Sequence, residues 1–263
     1  MVPLFTIFER TFSIYTIMVL CGVFATGIYC TRISKKYGYD TNDTIIFLLF
    51  VSIGILLGGT ILYGIVNLPK IIHVFKNLHL IDSWSTFWAV LRVIFGGSVF
   101  YGGLLGGLLV AAIYFRKKPQ NKYLADIAAV GIPLFHFFGR IGCFLGGCCY
   151  GIKSSFGFTM HHSPIVQANF ISRFPVQLLE ALFNIGLFLL LHFFLKKEKF
   201  KGMLIYIYLL CYSFARFFLE FLRGDEHRGI LLGISTSQII SILLFVSVMI
   251  IIIKKRGIFK WKN

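Results

Sequence analysis

Residues 44–69 contain no Asp, Glu, Lys or Arg, and the same is true of residues 11–31, 93–115 and 229–253. A helix of about 20 such residues rises about 30 Å, the thickness of a bilayer's hydrocarbon core. Three further apolar stretches have the right length but are interrupted: 127–152 by Arg140, 174–195 by Glu180, and 202–222 by Arg216 and Glu220. The pattern predicts an all-α, polytopic membrane protein forming a single integral membrane domain over residues 1–263. Seven transmembrane helices are expected near 11–31, 44–66, 97–115, 124–150, 174–195, 202–222 and 230–253. Between helices 2 and 3, residues 69–80 and 84–95 read as amphipathic segments, interfacial or re-entrant. Only 14% of the residues are charged and 57% are hydrophobic, whereas a soluble domain carries about 25% charged residues. A soluble enzyme, a disordered tail and a fibrous repeat are therefore excluded.

The net charge of +16 is distributed unevenly over the loops. Alternate loops gather Arg32, Lys35 and Lys36, then Arg116, Lys117, Lys118 and Lys122, then Lys196, Lys197, Lys199 and Lys201, and finally Lys254, Lys255 and Arg256. The opposite loops hold fewer, among them Lys70, Lys76, Lys153 and Arg173. By the positive-inside rule the N-terminus is expected outside and the C-terminus in the cytoplasm. Topology thus accounts for most of the basic excess, and nucleic acid is not expected as a partner. The first apolar run is too long for the core of a cleavable signal. Cys143, Cys148 and Cys149 fit no strong zinc spacing, so buried free thiols are the expectation and no metal site is predicted, with a disulfide or a bound metal as the alternatives.

Ionised side chains in mid-helix cost about 2.5–3.5 kcal/mol each on insertion scales, so each needs a partner or a task. With the expected orientation, Arg140, Glu180, Arg216, Glu220 and Gln238 all fall in the outer half of the bilayer. Tyr212, Arg216, Glu220 and Arg223 are spaced to share one helix face, with Arg216 and Glu220 one turn apart. Gln177, Glu180 and Asn184 form a second polar stripe. An internal ion-pair network is one explanation. The other is a slightly cationic cavity open to the outer leaflet and suited to an anionic lipid head group, because arginine binds phosphate in bidentate fashion. Two glycine clusters, residues 96–107 and 139–147, carry G-x-x-x-G spacings such as Gly102/Gly106, Gly103/Gly107 and Gly142/Gly146. Their first expected role is close helix packing.

Gly139-Arg140-Ile141-Gly142, followed by Phe144 and Tyr150-Gly151, resembles the signature of the phosphatidylglycerol–prolipoprotein diacylglyceryl transferases. Tyr15 in the first helix resembles that family's tyrosine. Pro175-x-Gln177-Leu178-x-Glu180 resembles its Pro-x-Gln-Leu-Tyr-Glu element, Arg216-Phe217-x-x-Glu220-Phe221-x-Arg223 resembles its arginine–glutamate element, and Gln238 falls in the matching final-helix motif. The resemblance implies transfer of diacylglyceryl from phosphatidylglycerol to the lipobox cysteine thiol of a prolipoprotein, with release of glycerol-1-phosphate. It also implies a bacterial cytoplasmic membrane location with the site facing the outer leaflet, and no cofactor. Phosphatidylglycerol, prolipoprotein lipobox peptides and bilayer lipids are the expected partners. The family analogy makes Arg140, Arg216, Glu220 and Tyr101 catalytic. It gives Tyr15, Gly102, Gly103, Gly142, Gln177, Glu180, Arg223 and Gln238 to substrate binding.

Three positions depart from the family. Tyr101-Gly102-Gly103-Leu104 stands where His-Gly-Gly-Leu is frequent, Cys143 where Asn is common, and Cys148 where Glu is common. Tyrosine, with a reference pKa of about 10, is a weak base at neutral pH, so His136, one turn before Arg140, is the alternative base. The rival function is a phospholipid-binding or transport paralogue that is non-catalytic or uses another acceptor.

Overall fold

A computed structural model describes residues 4–7, 10–76, 83–97, 99–163, 165–225, 230–231 and 234–260. Among them, six helices are long and apolar enough to cross a membrane: Ile14–Lys36 (α1), Thr41–Val66 (α2), Leu124–Gly146 (α6), Val176–Lys196 (α7), Leu204–Leu222 (α8 with a short 3-10 extension) and Thr236–Lys254 within α9. The chain is a multi-pass membrane protein. The expected third span is helical over Phe100–Lys117 (α5), but it has only 18 residues and ends in Arg116 and Lys117. With four glycines as well, it is less apolar than the six. Leu68–Lys76 (α3) and Trp84–Phe95 (α4) are short helices in the stretch expected to be interfacial; residues 77–82 of that stretch lie outside the described residues.

Helix ends differ from the charge-free runs for identifiable reasons. Residues 11–13 belong not to the first helix but to a strand, Arg10–Ser13 (β2), paired antiparallel with Leu4–Ile7 (β1). At the other end α1 continues to Lys36, because basic side chains in a last turn favour the helix dipole and their stems lie along apolar surface. α6 stops at Gly146, since Gly147 takes φ +71°, the left-handed cap that glycine adopts without penalty. α8 as an α-helix covers Leu204–Leu219 and gives way to a 3-10 turn at Glu220–Leu222. The last helix starts at Thr236 rather than 230. Ser235 Oγ accepts from the Gln238 amide at 3.1 Å, and Gln238 Oε1 accepts from the Ser235 amide at 3.0 Å. That reciprocal pair is a capping box, preceded by a two-residue hairpin of Ile230–Leu231 (β5) and Ile234–Ser235 (β6).

Two compact units are distinguished: residues 1–33 with 123–263, and residues 34–122. In the second unit α2 and α5 pack through glycine on both helices. A Cβ placed on Gly58 would lie 2.3 Å from the Gly102 carbonyl oxygen, and one on Gly54 would lie 2.8 Å from that of Gly106. The packing role expected of the first glycine cluster is thus its observed one. At one end of this pair, Asp43 accepts from Lys118 and from Asn121 Nδ2, while Tyr114 Oη donates to the Asp43 carbonyl.

In the first unit α6, α7 and α8 pack on one another, and α9 packs on α8. α1 lies on α6, where Gly131 approaches Cys30 and Thr26, and Tyr29 bonds His192 of α7 at 2.8 Å. One end is apolar, with Leu124, Ile127, Val130, Leu191, Leu195 and Leu204 buried. Asp126, also buried, accepts from the amides of Gly202 at 2.5 Å and Leu204 at 3.0 Å, and so caps α8 from α6. The other end buries Gln177, Glu180, Asn184, Glu220, Ser235 and Gln238, as the polar stripes predicted. Leucine and phenylalanine cover the outside, Phe24, Leu182 and Leu243 being more than 60% exposed. Such a surface is apolar toward its surroundings, as lipid requires.

Between α6 and α7, Lys153–Thr159 (β3) pairs with Ser172–Arg173 (β4). Arg173, read from sequence as a loop cation, is instead buried. Its guanidinium lies 4.1 Å from the centre of the Tyr150 ring and donates to the carbonyls of Gln167 and Gly151. Gly157 passes so close that a Cβ would fall 2.0 Å from the Arg173 carbonyl oxygen.

Candidate active site

Four charged side chains from three helices form one alternating chain. Arg140 of α6 meets Glu180 of α7 through Nε. The other Glu180 oxygen lies 3.1 Å from Arg216 Nη1 of α8, and Arg216 Nη2 lies 2.8 Å from Glu220. The side chains of Glu220 and Glu180 are 1% and 5% exposed, Arg216 is 11% and Arg140 is 21%, so Arg140 is the open end. Two guanidiniums balance two carboxylates. That balance is what permits such groups in a bundle interior, where an unpaired charge would cost several kcal/mol. The pair one turn apart on α8 was legible from spacing; the bridge through Glu180 was not.

Arg223 pairs with a different carboxylate, Asp225. The change to a 3-10 turn at Glu220 takes it off the α8 face it was expected to share with Tyr212, Arg216 and Glu220. It adopts extended backbone and forms an isolated bridge with Gly151. Asp225, which the sequence reading passed over, holds it through two bonds, Nε to Oδ1 at 2.9 Å and Nη2 to Oδ2 at 2.5 Å. The excess positive charge expected of Arg140 and Arg223 together is therefore reduced by one carboxylate two residues along the chain.

Tyr15 packs beside Gly142: a Cβ there would lie 3.3 Å from its ring and 3.0 Å from the Met18 Cβ. Small size at Gly142 thus lets α1 close on α6 one half-turn from Arg140. Gln177 donates from Nε2 to the Cys148 carbonyl at 2.8 Å, tying the start of α7 to the loop that leaves α6. Asn184 donates to the Glu180 carbonyl at 2.7 Å, and its Oδ1 is buried without a hydrogen-bond partner among the described residues. His136 bonds Tyr208 at 3.2 Å, and its ring lies 5.5 Å from that of Tyr212. Gln238, expected to touch substrate, is occupied by the cap of α9 and reaches the Phe217 carbonyl at 3.5 Å. The Ser-x-x-Gln pattern would have revealed this cap. Tyr101, Gly102 and Gly103 belong to the second unit, in the first turn of α5; a Cβ on Gly102 would meet the Gly58 carbonyl oxygen and one on Gly103 would touch Ile55.

Beyond the Gly147 turn, Cys148 and Cys149 come back toward Cys143. The Cys148 amide donates to the Cys143 carbonyl at 3.1 Å. Hydrogen bonds from Cys143 and Cys148 hold the Cys149 thiol well below the ordinary thiol range, and the charges of Arg140 and Arg223 act in the same direction.

The family profile described as prolipoprotein diacylglyceryl transferase matches residues 3–254. The chain is 32% identical to the phosphatidylglycerol–prolipoprotein diacylglyceryl transferase of Clostridium tetani, over 92% of this chain and 93% of that protein. It is 33% identical to the second such transferase of Clostridium perfringens, over 88% and 86%. Against the transferase of Campylobacter hominis it is 30% identical, over 88% and 81%.

Proposed function

This chain belongs to the prolipoprotein diacylglyceryl transferase family, and on that premise we propose that it moves the diacylglyceryl group of phosphatidylglycerol onto the lipobox cysteine thiol of a prolipoprotein. In that reaction the thiol sulfur attacks the glyceryl carbon. A C–S bond forms, the C–O bond to phosphate breaks, the thiol proton passes to a base, and glycerol-1-phosphate departs. The leaving phosphate gains charge, and prearranged guanidiniums in a water-poor site stabilise that charge best.

The observation that carries the reading is the chain Arg140–Glu180–Arg216–Glu220. A guanidinium has five N–H donors. Arg140 engages Glu180 through Nε, so its outer edge is the one that takes a phosphate in bidentate fashion. Arg216, held on both sides by carboxylates, adds its remaining donors and is oriented by Glu220. Tyr15, beside Gly142, lines the lipid site; Gln177 and Glu180 keep α7 and the arginines in place. A thiol of pKa about 8.5 is a few per cent ionised at neutral pH, so help from a base is worth about 100-fold, the low end of its usual range. Tyr101 and His136 are the groups proposed for that help.

The same reading takes α5 as a seventh span. It puts the N-terminus outside the cytoplasmic membrane, the C-terminus within the cell and the site toward the outer leaflet. Support comes from the collection of polar side chains at one end of α6–α9 and of basic residues at the other. The test is direct: purified protein, phosphatidylglycerol and a lipobox peptide are incubated, and mass spectrometry seeks the diacylglyceryl adduct and freed glycerol phosphate. Both products are expected. Saturable phosphatidylglycerol binding with neither product would favour the rival with another acceptor, which the departures at Tyr101, Cys143 and Cys148 recommend.

A further inference from the structure

The sulfur atoms of Cys143, Cys148 and Cys149 all lie within 4.8 Å of one another, and no histidine or carboxylate joins their group among the described residues. Three features of the fold bring them together. Cys143 is buried in the last turn of α6. Gly147 then reverses the chain in the left-handed region, and Cys149, at φ +54°, occupies the same region without glycine's freedom. Gln177 of α7 anchors the turn through the Cys148 carbonyl. None of the three is in a disulfide.

We propose that these cysteines form a trigonal thiolate site for a soft, monovalent metal cation of the Cu(I) type. Thiolates select soft metals, whereas a structural zinc site takes four ligands and here would find only three. A metal about 2.3 Å from each sulfur sets three coplanar sulfurs about 4 Å apart, so the observed spacing needs adjustments of less than about an ångström. On binding, three metal–sulfur bonds form, and each thiol that is still protonated gives up its S–H proton to solvent. The copper keeps its oxidation state, so no redox partner is required. The loaded site carries two negative charges, and Arg140 stands three residues before Cys143 on α6. The remaining cysteines, Cys21, Cys30 and Cys211, are outside the cluster and serve as internal controls.

The test uses the full chain, reduced, in detergent and without oxygen. Cu(I) is supplied as its coloured complex with bathocuproine disulfonate, and loss of colour reports withdrawal of the metal. One Cu(I) per chain should be withdrawn, with X-ray absorption showing sulfur neighbours alone. Cys143→Ser, Cys148→Ser and Cys149→Ser should each weaken binding by about 100-fold, while the combined Cys21→Ser, Cys30→Ser and Cys211→Ser variant should bind like the parent. No withdrawal by the reduced parent chain, or withdrawal unchanged by the three cluster variants, overturns the proposal. So does a disulfide among the three in native protein, found by alkylation without reduction. If the variants do not fold, iodoacetamide labelling of the parent chain decides: Cu(I) should protect Cys143, Cys148 and Cys149 together, and equal labelling with and without the metal rejects the site.

Discussion

Glu180 Oε1 sits 3.1 Å from Arg216 Nη1 while the same carboxylate's other oxygen meets Arg140, so one side chain of α7 couples arginines from α6 and α8. Glu180→Gln keeps the volume and removes the charge, leaving two partly buried guanidiniums with one carboxylate. Breaking a buried pair in this way costs about 3–5 kcal/mol. A lower midpoint of thermal unfolding in detergent is expected, together with a fall in transfer rate of about 100-fold. An unchanged rate would make Glu180 a packing residue.

Arg216 tests the assignment most severely, because both of its terminal nitrogens are engaged by carboxylates. Arg216→Ala should abolish transfer while the protein still inserts into membranes. Arg216→Lys keeps the charge but not the planar fork, and should remain at least about 100-fold slower than the parent. Parent-like turnover by Arg216→Ala would remove the phosphate-holding role.

Tyr101, in the first turn of α5, is one of the two groups proposed to take the thiol proton. Tyr101→Phe removes only the hydroxyl, and general-base help is worth about 100-fold or more. A fall of at least about tenfold in kcat, with KM for phosphatidylglycerol little changed, is expected. Equal kcat would restrict Tyr101 to packing or lipid contact.

Asp126 provides a contrast, being far along α6 from Arg140 and bonded to the amides that open α8. Asp126→Ala should lower stability by about 1–2 kcal/mol, as the loss of a good helix cap does. The transfer rate at a temperature where the variant remains folded should match the parent's. A selective loss of kcat without loss of stability would contradict the capping role.

Gly58 allows α5 a close approach to α2, with the Gly102 carbonyl oxygen 2.3 Å from where a Cβ would be. Gly58→Ala forces two backbones apart and should destabilise the protein by about 1–3 kcal/mol. Gly27, where an added Cβ would meet nothing within 4 Å, is the matched control. If Gly27→Ala and Gly58→Ala unfold alike, close approach is not what Gly58 provides.

The apolar runs alone were enough to establish a helical membrane protein. In lipid a backbone must satisfy its own hydrogen bonds, so 20 or more apolar residues without charge have few structures other than a helix open to them. Local spacing also sufficed for Arg216 and Glu220, since residues four apart on a helix meet whatever surrounds them. The Ser235–Gln238 cap was equally local, and its pattern lay open in the sequence. Other relationships depend on which helices pack together and where each one ends. Glu180 reaches Arg140 and Arg216 across 40 and 36 positions of chain because α7 packs beside α6 and α8. Arg223 pairs with Asp225 because α8 tightens into a 3-10 turn at Glu220, and Cys149 returns to Cys143 because Gly147 reverses the chain. Periodicity specifies which residues share a face of one helix; only tertiary packing decides which charge from another helix stands opposite.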